Sequence, residues 1–163
     1  MEILDLYDDL GNNLNKTIIR GEAPNDGENI MLSVAYIKNK KGKYLIKKSS
    51  KEKGGFYTST GGHVTHNEDG LTTIIREVYE EVGLTNVENN IKHLKTFKYP
   101  GRYCLFSVYL IDNVDKDITK LQLQTEEVES VSWLTKEEIL ELINNGLFLE
   151  SHAYIFKNYI IKE

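Results

Sequence analysis

The chain has 163 residues, of which 40% are hydrophobic and 28% are charged, a size and balance that suit one folded domain with its own core. Its formal net charge of −5 argues against a protein that binds nucleic acid through a broadly basic surface. The single cysteine, Cys104, excludes an internal disulfide and fits a reducing compartment such as the cytoplasm. No leader-like segment or apolar run of about 20 residues is present, so no membrane contact is expected. We therefore expect one cytoplasmic domain over residues 1–163.

The first part of the chain is predicted to be mostly β-structure. Two short strands are expected on either side of a Gly/Asn-rich turn at residues 11–13. The run from Ile30 to Ile37 is apolar at nearly every position, which is typical of a strand that is buried on both faces. The segment from Tyr44 to Lys48 is predicted to be its hairpin partner, and a loop rich in lysine, serine and glycine follows.

The glutamate-rich middle of the chain has the pattern of an amphipathic helix. Five apolar side chains recur at helical spacing and form one face: Leu71, Ile74, Ile75, Val78 and Val82. Asp69 is a suitable N-cap and Gly83 a suitable C-terminal stop. Glu77, Glu80 and Glu81 project beside the apolar face, where like charges one turn apart cost stability. A hard cation such as Mg²⁺ or Mn²⁺ would relieve this repulsion, and on spacing alone a solvated acidic face is an equally good interpretation.

The second half of the chain mixes strands with helices. Three strands are predicted, at residues 91–99, 102–111 and 127–134. Thr135 and Glu138 have the spacing of a capping box, so a helix is expected to begin there and to end at Gly146. A last helix is expected from Ser151 onwards. Strands interleaved with about three helices indicate an α/β fold in which helices cover both faces of a mixed sheet.

The pattern Gly62-x5-Glu68-x7-Arg76-Glu77-Val78-x-Glu80-Glu81-x-Gly83-Leu84 resembles a complete Nudix box. Every constrained position of this 23-residue pattern is filled, which makes the resemblance far more specific than a short glycine motif. The resemblance covers about residues 30–142. It implies a Nudix-type α/β/α sandwich with a mixed central sheet, and divalent-metal-dependent hydrolysis of a diphosphate linkage in a nucleoside diphosphate derivative or a related substrate.

The resemblance also implies roles for individual residues. The metal ligands, for Mg²⁺ or Mn²⁺, would be the backbone carbonyl of Gly61 and the carboxylates of Glu77, Glu80 and Glu81. Arg76 would orient Glu77, and Glu68 would support the site from one layer further out. The catalytic base would be a box glutamate or a carboxylate from a later loop, where Glu126 and Glu127 are candidates. The predicted catalytic residues are therefore Glu77, Arg76 and Glu127.

Two further residues are candidates for substrate binding. Lys48 lies before the box in a group with Lys47, Lys51 and Lys53. A solvated loop accounts for most of these lysines, and Lys48 is the one selected as a contact for substrate phosphates. Tyr99 lies 15 residues after Leu84, where the family associates a tyrosine with dinucleoside polyphosphates. Pro100 stands one residue later, where a proline is associated with ADP-ribose-type substrates. The two signals together leave the substrate undetermined.

Two alternatives to hydrolysis follow from the same resemblance. The N-terminal residues and the segment GKYLIKKSS also resemble Nudix proteins akin to isopentenyl-diphosphate isomerase. That enzyme needs a cysteine near the Gly-Gly pair, and here the segment FYTSTGGHV contains none. A Nudix module that binds a nucleotide without cleaving it would have lost box glutamates, and none is lost. We therefore expect a hydrolase whose partner is a small-molecule diphosphate.

Overall fold

The structure is a computed structural model that describes residues 1–123 and 128–162. Its strands are β1 (Ile3–Tyr7), β2 (Asn13–Ile19), β3 (Ile30–Asn39), β4 (Tyr44–Ser49), β5 (Tyr57–Thr58), β6 (Thr60–His63), β7 (Ile91–Lys98), β8 (Cys104–Val114) and β9 (Val128–Leu134). Its α-helices are α1 (Gly70–Val82), α2 (Lys136–Asn144) and α3 (Glu150–Ile155), and a π-helical turn (Phe156–Ile160) continues α3. Short 3₁₀ turns cover Lys51–Lys53 and Ile118–Lys120.

The central sheet is mixed and is built around β3. This strand pairs in parallel with β8 and antiparallel with β6, while β7 adds antiparallel to the far side of β8. The predicted hairpin of β3 with β4 is formed only at its base, where Lys38 lies opposite Tyr44. Beyond that point β4 pairs with β5 and β9, because β6 takes the neighbouring edge of β3.

Side chains alternate along the strands into two cores, one on each face of the sheet. On β3, Val34 and Tyr36 pack in the core that is covered by α2, α3 and the π-helical turn. Ala35 and Ile37 pack in the opposite core, which is covered by α1. The run that was predicted to be buried on both faces is therefore such a strand, and the predicted α/β/α sandwich around a mixed sheet is confirmed.

The two predicted N-terminal strands form a separate two-stranded sheet, which we call, together with the flanking residues Glu2 and Arg20, the N-terminal hairpin (residues 2–20). Its strand β1 docks on the loop before α1. The carboxylate of Asp5 contacts Nδ1 of His66 at 2.6 Å and accepts from the backbone N–H of Asn67 at 3.2 Å. Tyr7 exchanges backbone hydrogen bonds with Asn29. These contacts hold the hairpin against the loop that leads into α1.

Helix α1 begins and ends where the sequence predicts. The Asp69 carboxylate accepts from the Thr72 N–H at 2.7 Å, and Gly83 adopts the left-handed conformation with φ of 72°. The predicted apolar face is wrong at one position, because Leu71 is 42% exposed. The helix instead approaches the sheet at Gly70, where an added Cβ would lie 2.8 Å from the Tyr109 hydroxyl.

The C-terminal elements agree with the sequence to within a few residues. The capping box is present, since the Thr135 hydroxyl accepts from the Glu138 N–H and the Glu138 carboxylate accepts from the Thr135 N–H. Helix α2 ends at Asn144, two residues before the predicted glycine. Within residues 1–123 and 128–162, no helix is long and apolar enough to cross a membrane.

Replacing the N-cap of α1 tests how much this helix depends on its first turn. We expect Asp69→Ala to lower the free energy of unfolding by about 1 kcal/mol, because the Thr72 N–H loses its acceptor. Asp69→Asn keeps an acceptor oxygen and should retain most of the stability. Urea unfolding of both variants provides the measurement, and equal losses in the two would contradict the capping role.

Candidate functional site

The glutamates of α1 face strand β6 at Gly61 and Gly62, two consecutive residues of the strand that have no side chain. A Cβ added to Gly62 would lie 2.2 Å from Oε1 of Glu77, so this carboxylate occupies the space that a side chain would fill. A Cβ added to Gly61 would lie 2.5 Å from the backbone oxygen of Ser33 on β3. The glycine pair is therefore required for the close approach of strand and helix, beyond any role in a turn.

Arg76 connects three of the carboxylates. Its Nε and Nη2 donate to the two oxygens of Glu68 at 3.0 and 2.9 Å, which is a bidentate contact. Its Nη1 donates to Glu77 at 3.0 Å and to Glu80 at 3.2 Å. The hydrogen bonds from Arg76, together with those from two threonine hydroxyls, lower the pKa of Glu68 to about 2. Glu68 thus holds Arg76, and Arg76 holds Glu77 and Glu80.

Glu81 lies on the other side of the cluster and is buried, with 2% of its surface exposed. Its carboxylate forms an ion pair with the ammonium group of Lys47 on β4. It also accepts from the backbone N–H of Gly61 at 3.3 Å. The structure thus shows a contact through the Gly61 N–H, and metal ligation by the Gly61 carbonyl stays a prediction.

The repulsion that the sequence predicts between the glutamates is reflected at Glu77. Burial of the Glu77 carboxylate and the nearby charge of Glu81 raise its pKa to about 7, although Arg76 acts in the opposite direction. A carboxylate at this position is therefore much harder to ionise than an exposed one, and nearby positive charge favours its ionised form.

The donor set suits a hard divalent cation. Carboxylate oxygens without nearby thiolates are the ligands that Mg²⁺ and Mn²⁺ prefer. In the two described ranges, no group of three or more His, Cys, Asp or Glu side chains is arranged to hold a metal ion. Glu77 and Glu80 are bonded to Arg76, and the Lys47 ammonium stands where positive charge is needed beside Glu81. These carboxylates would fit such a cation if contacts to the cation replaced their present contacts with Arg76 and Lys47.

Two cavities open beside the glycine pair. The larger, of about 300 Å³, is called the basic cavity here, and its polar lining includes Arg20, Lys47, Lys53, Thr58, His63 and His152. The smaller, of about 250 Å³, is called the acidic cavity, and its lining includes Glu2, Arg20, Arg76, Glu77 and Glu80. Gly61 and Gly62 line both cavities, so the two meet at the point where β6 passes α1.

The two substrate candidates lie elsewhere in the structure. Lys48 forms an ion pair with Glu129 at 3.1 Å and is absent from the lining of both cavities. Tyr99 is buried in the core beneath α3, where its ring contacts those of Phe106 and Tyr154 at centroid distances of 5.6 and 5.4 Å. Glu126 and Glu127, the candidate bases, lie outside the described residues.

Lys47, a member of the predicted lysine group from which Lys48 was preferred, is the lysine of β4 that reaches the glutamates. Strand alternation was the signal that could have found it. Leu45 packs in the core beneath α1, and Lys47 shares its parity, so both face the helix. Lys48 has the opposite parity and faces away. Arg20 and His152 were also missed, because both are distant from the box in sequence.

The wall of the basic cavity contains a buried histidine. Nδ1 of His152 accepts from the Ser59 backbone N–H at 3.2 Å and contacts the Ser59 hydroxyl at 2.8 Å. Burial, together with the charge of Lys47, lowers the pKa of His152 to about 3, so the ring is neutral. The neighbouring Thr58 hydroxyl is buried and has no hydrogen-bond partner in the structure. This wall therefore offers an unsatisfied hydroxyl to whatever occupies the cavity.

Comparison with known proteins agrees with this geometry. A family model described as the NUDIX domain matches residues 32–158. An uncharacterised Nudix hydrolase of Listeria innocua is 32% identical over 166 aligned residues, which cover 99% of this chain and 95% of that protein. The crystal structure of DR0079 from Deinococcus radiodurans superposes with a TM-score of 0.80 at 19% identity, covering 98% of this chain and 99% of that chain. The crystal structure of a bifunctional NMN adenylyltransferase/ADP ribose pyrophosphatase from Francisella tularensis superposes with a TM-score of 0.68 at 20% identity. The match covers 86% of this chain and 42% of that chain.

Substitutions at Gly61 and Gly62 distinguish a close contact with backbone from a close contact with a side chain. Gly61→Ala places its methyl group against backbone, which cannot move without shifting β3, so we expect a loss of about 1–3 kcal/mol in the free energy of unfolding. Gly62→Ala meets the mobile end of Glu77, so we expect a smaller loss and a rotated carboxylate. Urea unfolding and a crystal structure of each variant test this, and the reverse order of stability would contradict it.

The buried His152 should contribute to the pH dependence of stability. Its pKa in the folded chain, about 3, lies below its ordinary value of 6.5. Between these values the unfolded chain binds a proton that the folded chain does not, so stability falls as the pH falls through this window. His152→Asn keeps an acceptor for Ser59 without titrating, and should lose about 2 kcal/mol less between pH 7 and 5. Parallel curves from urea unfolding of the two proteins would contradict this.

Proposed function

Because the chain belongs to the Nudix hydrolase family, we propose that it hydrolyses a diphosphate linkage in a nucleoside diphosphate derivative with the help of Mg²⁺ or Mn²⁺. The family gives the enzyme class. We propose the metal, the substrate and the roles of the residues. In this proposal residues 1–163 act as one domain, in the cytoplasm, on a small molecule.

The observation that carries the proposal is the junction of the two cavities. Carboxylates alone repel a phosphate, whereas the basic cavity beside them attracts one. Glu77 and Glu80 line the acidic cavity, Lys47 lines the basic cavity, and Arg20 lines both. A diphosphate at this junction is favoured only when the carboxylate charge is neutralised, and a divalent cation does this while matching the oxygen donors.

Each residue of the cluster then has a distinct task. Glu77, Glu80 and Glu81 would hold the cation, and Arg76, itself fixed by Glu68, keeps two of these carboxylates in place. When bound, the cation would offset the phosphate charge and make a coordinated water more acidic. The proton released when water attacks phosphorus passes to a carboxylate, and Glu77 and Glu127 are our candidates. The water oxygen bonds to one phosphorus while the bond from that phosphorus to the bridging oxygen breaks, so the bridging oxygen leaves with the other phosphorus and two phosphate-bearing products form.

No observation on residues 1–123 and 128–162 favours the isomerase alternative. Its cysteine would be needed near the Gly-Gly pair, and Cys104 lies on β8 in the core beneath α3. Burial raises the pKa of the Cys104 thiol, which makes it a poor acid–base group at neutral pH. Loss of box glutamates would indicate nucleotide binding without cleavage, and Glu77, Glu80 and Glu81 are all present.

A substrate panel with glutamate variants tests the proposal. The panel contains nucleoside triphosphates, nucleotide sugars, dinucleoside polyphosphates and isopentenyl diphosphate, assayed with Mg²⁺ and with Mn²⁺. We expect hydrolysis of at least one nucleoside diphosphate derivative, lost on metal chelation. Glu80→Gln and Glu81→Gln should each lower kcat by about a hundredfold or more, because each removes a charged metal ligand.

The controls address folding and general charge. Glu81→Gln leaves the Lys47 ammonium buried without its charge partner, so this variant will also lose stability. Glu80 is 44% exposed at its side chain, and its variant should fold normally. Glu141→Gln removes the same charge from an exposed position of α2 and should keep full activity. A fully active and folded Glu80→Gln, or hydrolysis that persists without any divalent cation, would refute the proposed metal site.

A further inference from the structure

The N-terminal hairpin lies outside the segment that matches the family, yet it supplies a charged residue to the site. The matched segment begins at residue 32, and Arg20 directly follows β2. We propose that Arg20 is a substrate-binding residue that contacts a phosphate of the diphosphate. This inference rests on the proposed function, because it assigns a residue to the same site.

Arg20 stands at the junction of the two cavities. The residues that line both of them are Arg20, Gly61, Gly62 and His63. Among these four, Arg20 carries the permanent positive charge. A phosphate that enters the junction therefore meets one fixed cation from the hairpin.

The position of Arg20 is built into the hairpin. Its backbone N–H donates to the Glu2 carbonyl at 3.0 Å, beside the paired residues Ile3 and Ile19. The Ile3 carbonyl in turn accepts from the His66 N–H at 2.8 Å. The hairpin end that bears Arg20 is thus hydrogen-bonded to the loop that leads into α1, and the guanidinium is carried to the site by paired backbone.

The side chain of Arg20 keeps hydrogen-bonding capacity for a ligand. Its Nη1 donates to the Glu2 carboxylate at 2.6 Å, and its side chain is 51% exposed. A guanidinium carries five N–H donors in a planar fork that matches two phosphate oxygens. Lys47 pairs with the buried Glu81 and Arg76 with the largely buried Glu68, whereas Glu2, the partner of Arg20, is 44% exposed. Arg20 is therefore the cation best placed to bind a phosphate oxygen on the side away from α1.

The ion pair between Arg20 and Glu2 is not expected to stabilise the fold. Both side chains are about half exposed, at 51% and 44%, and exposed pairs contribute little to folding. Replacing Arg20 should consequently leave the fold unchanged, which makes its effect on substrate binding measurable.

The test compares Arg20→Gln and Arg20→Lys with a matched control. Lys16→Gln removes a charge from β2, where Lys16 pairs with Glu28 at 3.0 Å and is absent from the lining of both cavities. KM and kcat are measured with the best substrate of the panel. Binding of methylenediphosphonate, a diphosphate that cannot be hydrolysed, is measured by calorimetry in the presence of Mg²⁺.

We expect Arg20→Gln to raise KM and to weaken methylenediphosphonate binding by about tenfold or more, which is the usual loss for a charged hydrogen bond to phosphate. Arg20→Lys, which keeps the charge, should lose less, and Lys16→Gln should match the wild type. Unchanged KM and affinity in Arg20→Gln, or an equal loss in Lys16→Gln, would overturn the assignment of Arg20.

The design separates this inference from the proposed function. If the wild-type enzyme hydrolyses a panel member and Arg20→Gln behaves like it, the assignment of Arg20 fails and the proposed function stands. If the wild type hydrolyses no panel member, the proposed function fails. Calorimetry then decides on Arg20 alone, since weaker diphosphonate binding in Arg20→Gln supports the contact and unchanged or absent binding refutes it.

Discussion

The structure depends on one buried charge, the carboxylate of Glu81. At 2% exposure this group needs a cation and hydrogen bonds, and it obtains them from Lys47 of β4 and from the Gly61 N–H of β6. Helix α1 is thereby joined to two strands of the central sheet by polar contacts as well as by its apolar face. Removing either partner of such a pair costs about 3–5 kcal/mol, because a buried charge is left without compensation.

Several features near Glu81 allow a second carboxylate, that of Glu77, to lie close to it. Gly62 has no side chain, so the Glu77 carboxylate can occupy the space next to the strand. Arg76 offsets part of the negative charge and is itself held by the bidentate contact with Glu68. Burial and the nearby charge of Glu81 raise the pKa of Glu77, and within the described residues the four carboxylates of the cluster pair with two cations, Arg76 and Lys47. The cluster therefore holds an excess of negative charge, which is the property that a site for a divalent cation requires.

Local patterns in the sequence were sufficient for the helix that bears the glutamates. The N-cap at Asp69, the stop at Gly83 and the shared edge of the glutamates all depend on spacing within α1. Contacts between distant segments were not predictable in this way. The pairing of β4 with β9 and the approach of the N-terminal hairpin to the site depend on tertiary packing. Lys47 was predictable in part. Alternation along β4 gives the face of the sheet on which Lys47 lies, but its contact with Glu81 depends on tertiary packing.

Paramagnetic NMR with Mn²⁺ tests the central claim, that the carboxylates of α1 and the glycine pair form a divalent-cation site. A bound Mn²⁺ broadens the amide signals of residues around it. We predict that substoichiometric Mn²⁺ broadens the signals of Gly61, Gly62 and residues 77–81 first, and that excess Mg²⁺ restores them. Broadening centred on another part of the chain, or the same pattern in the Glu80→Gln variant, would contradict the account.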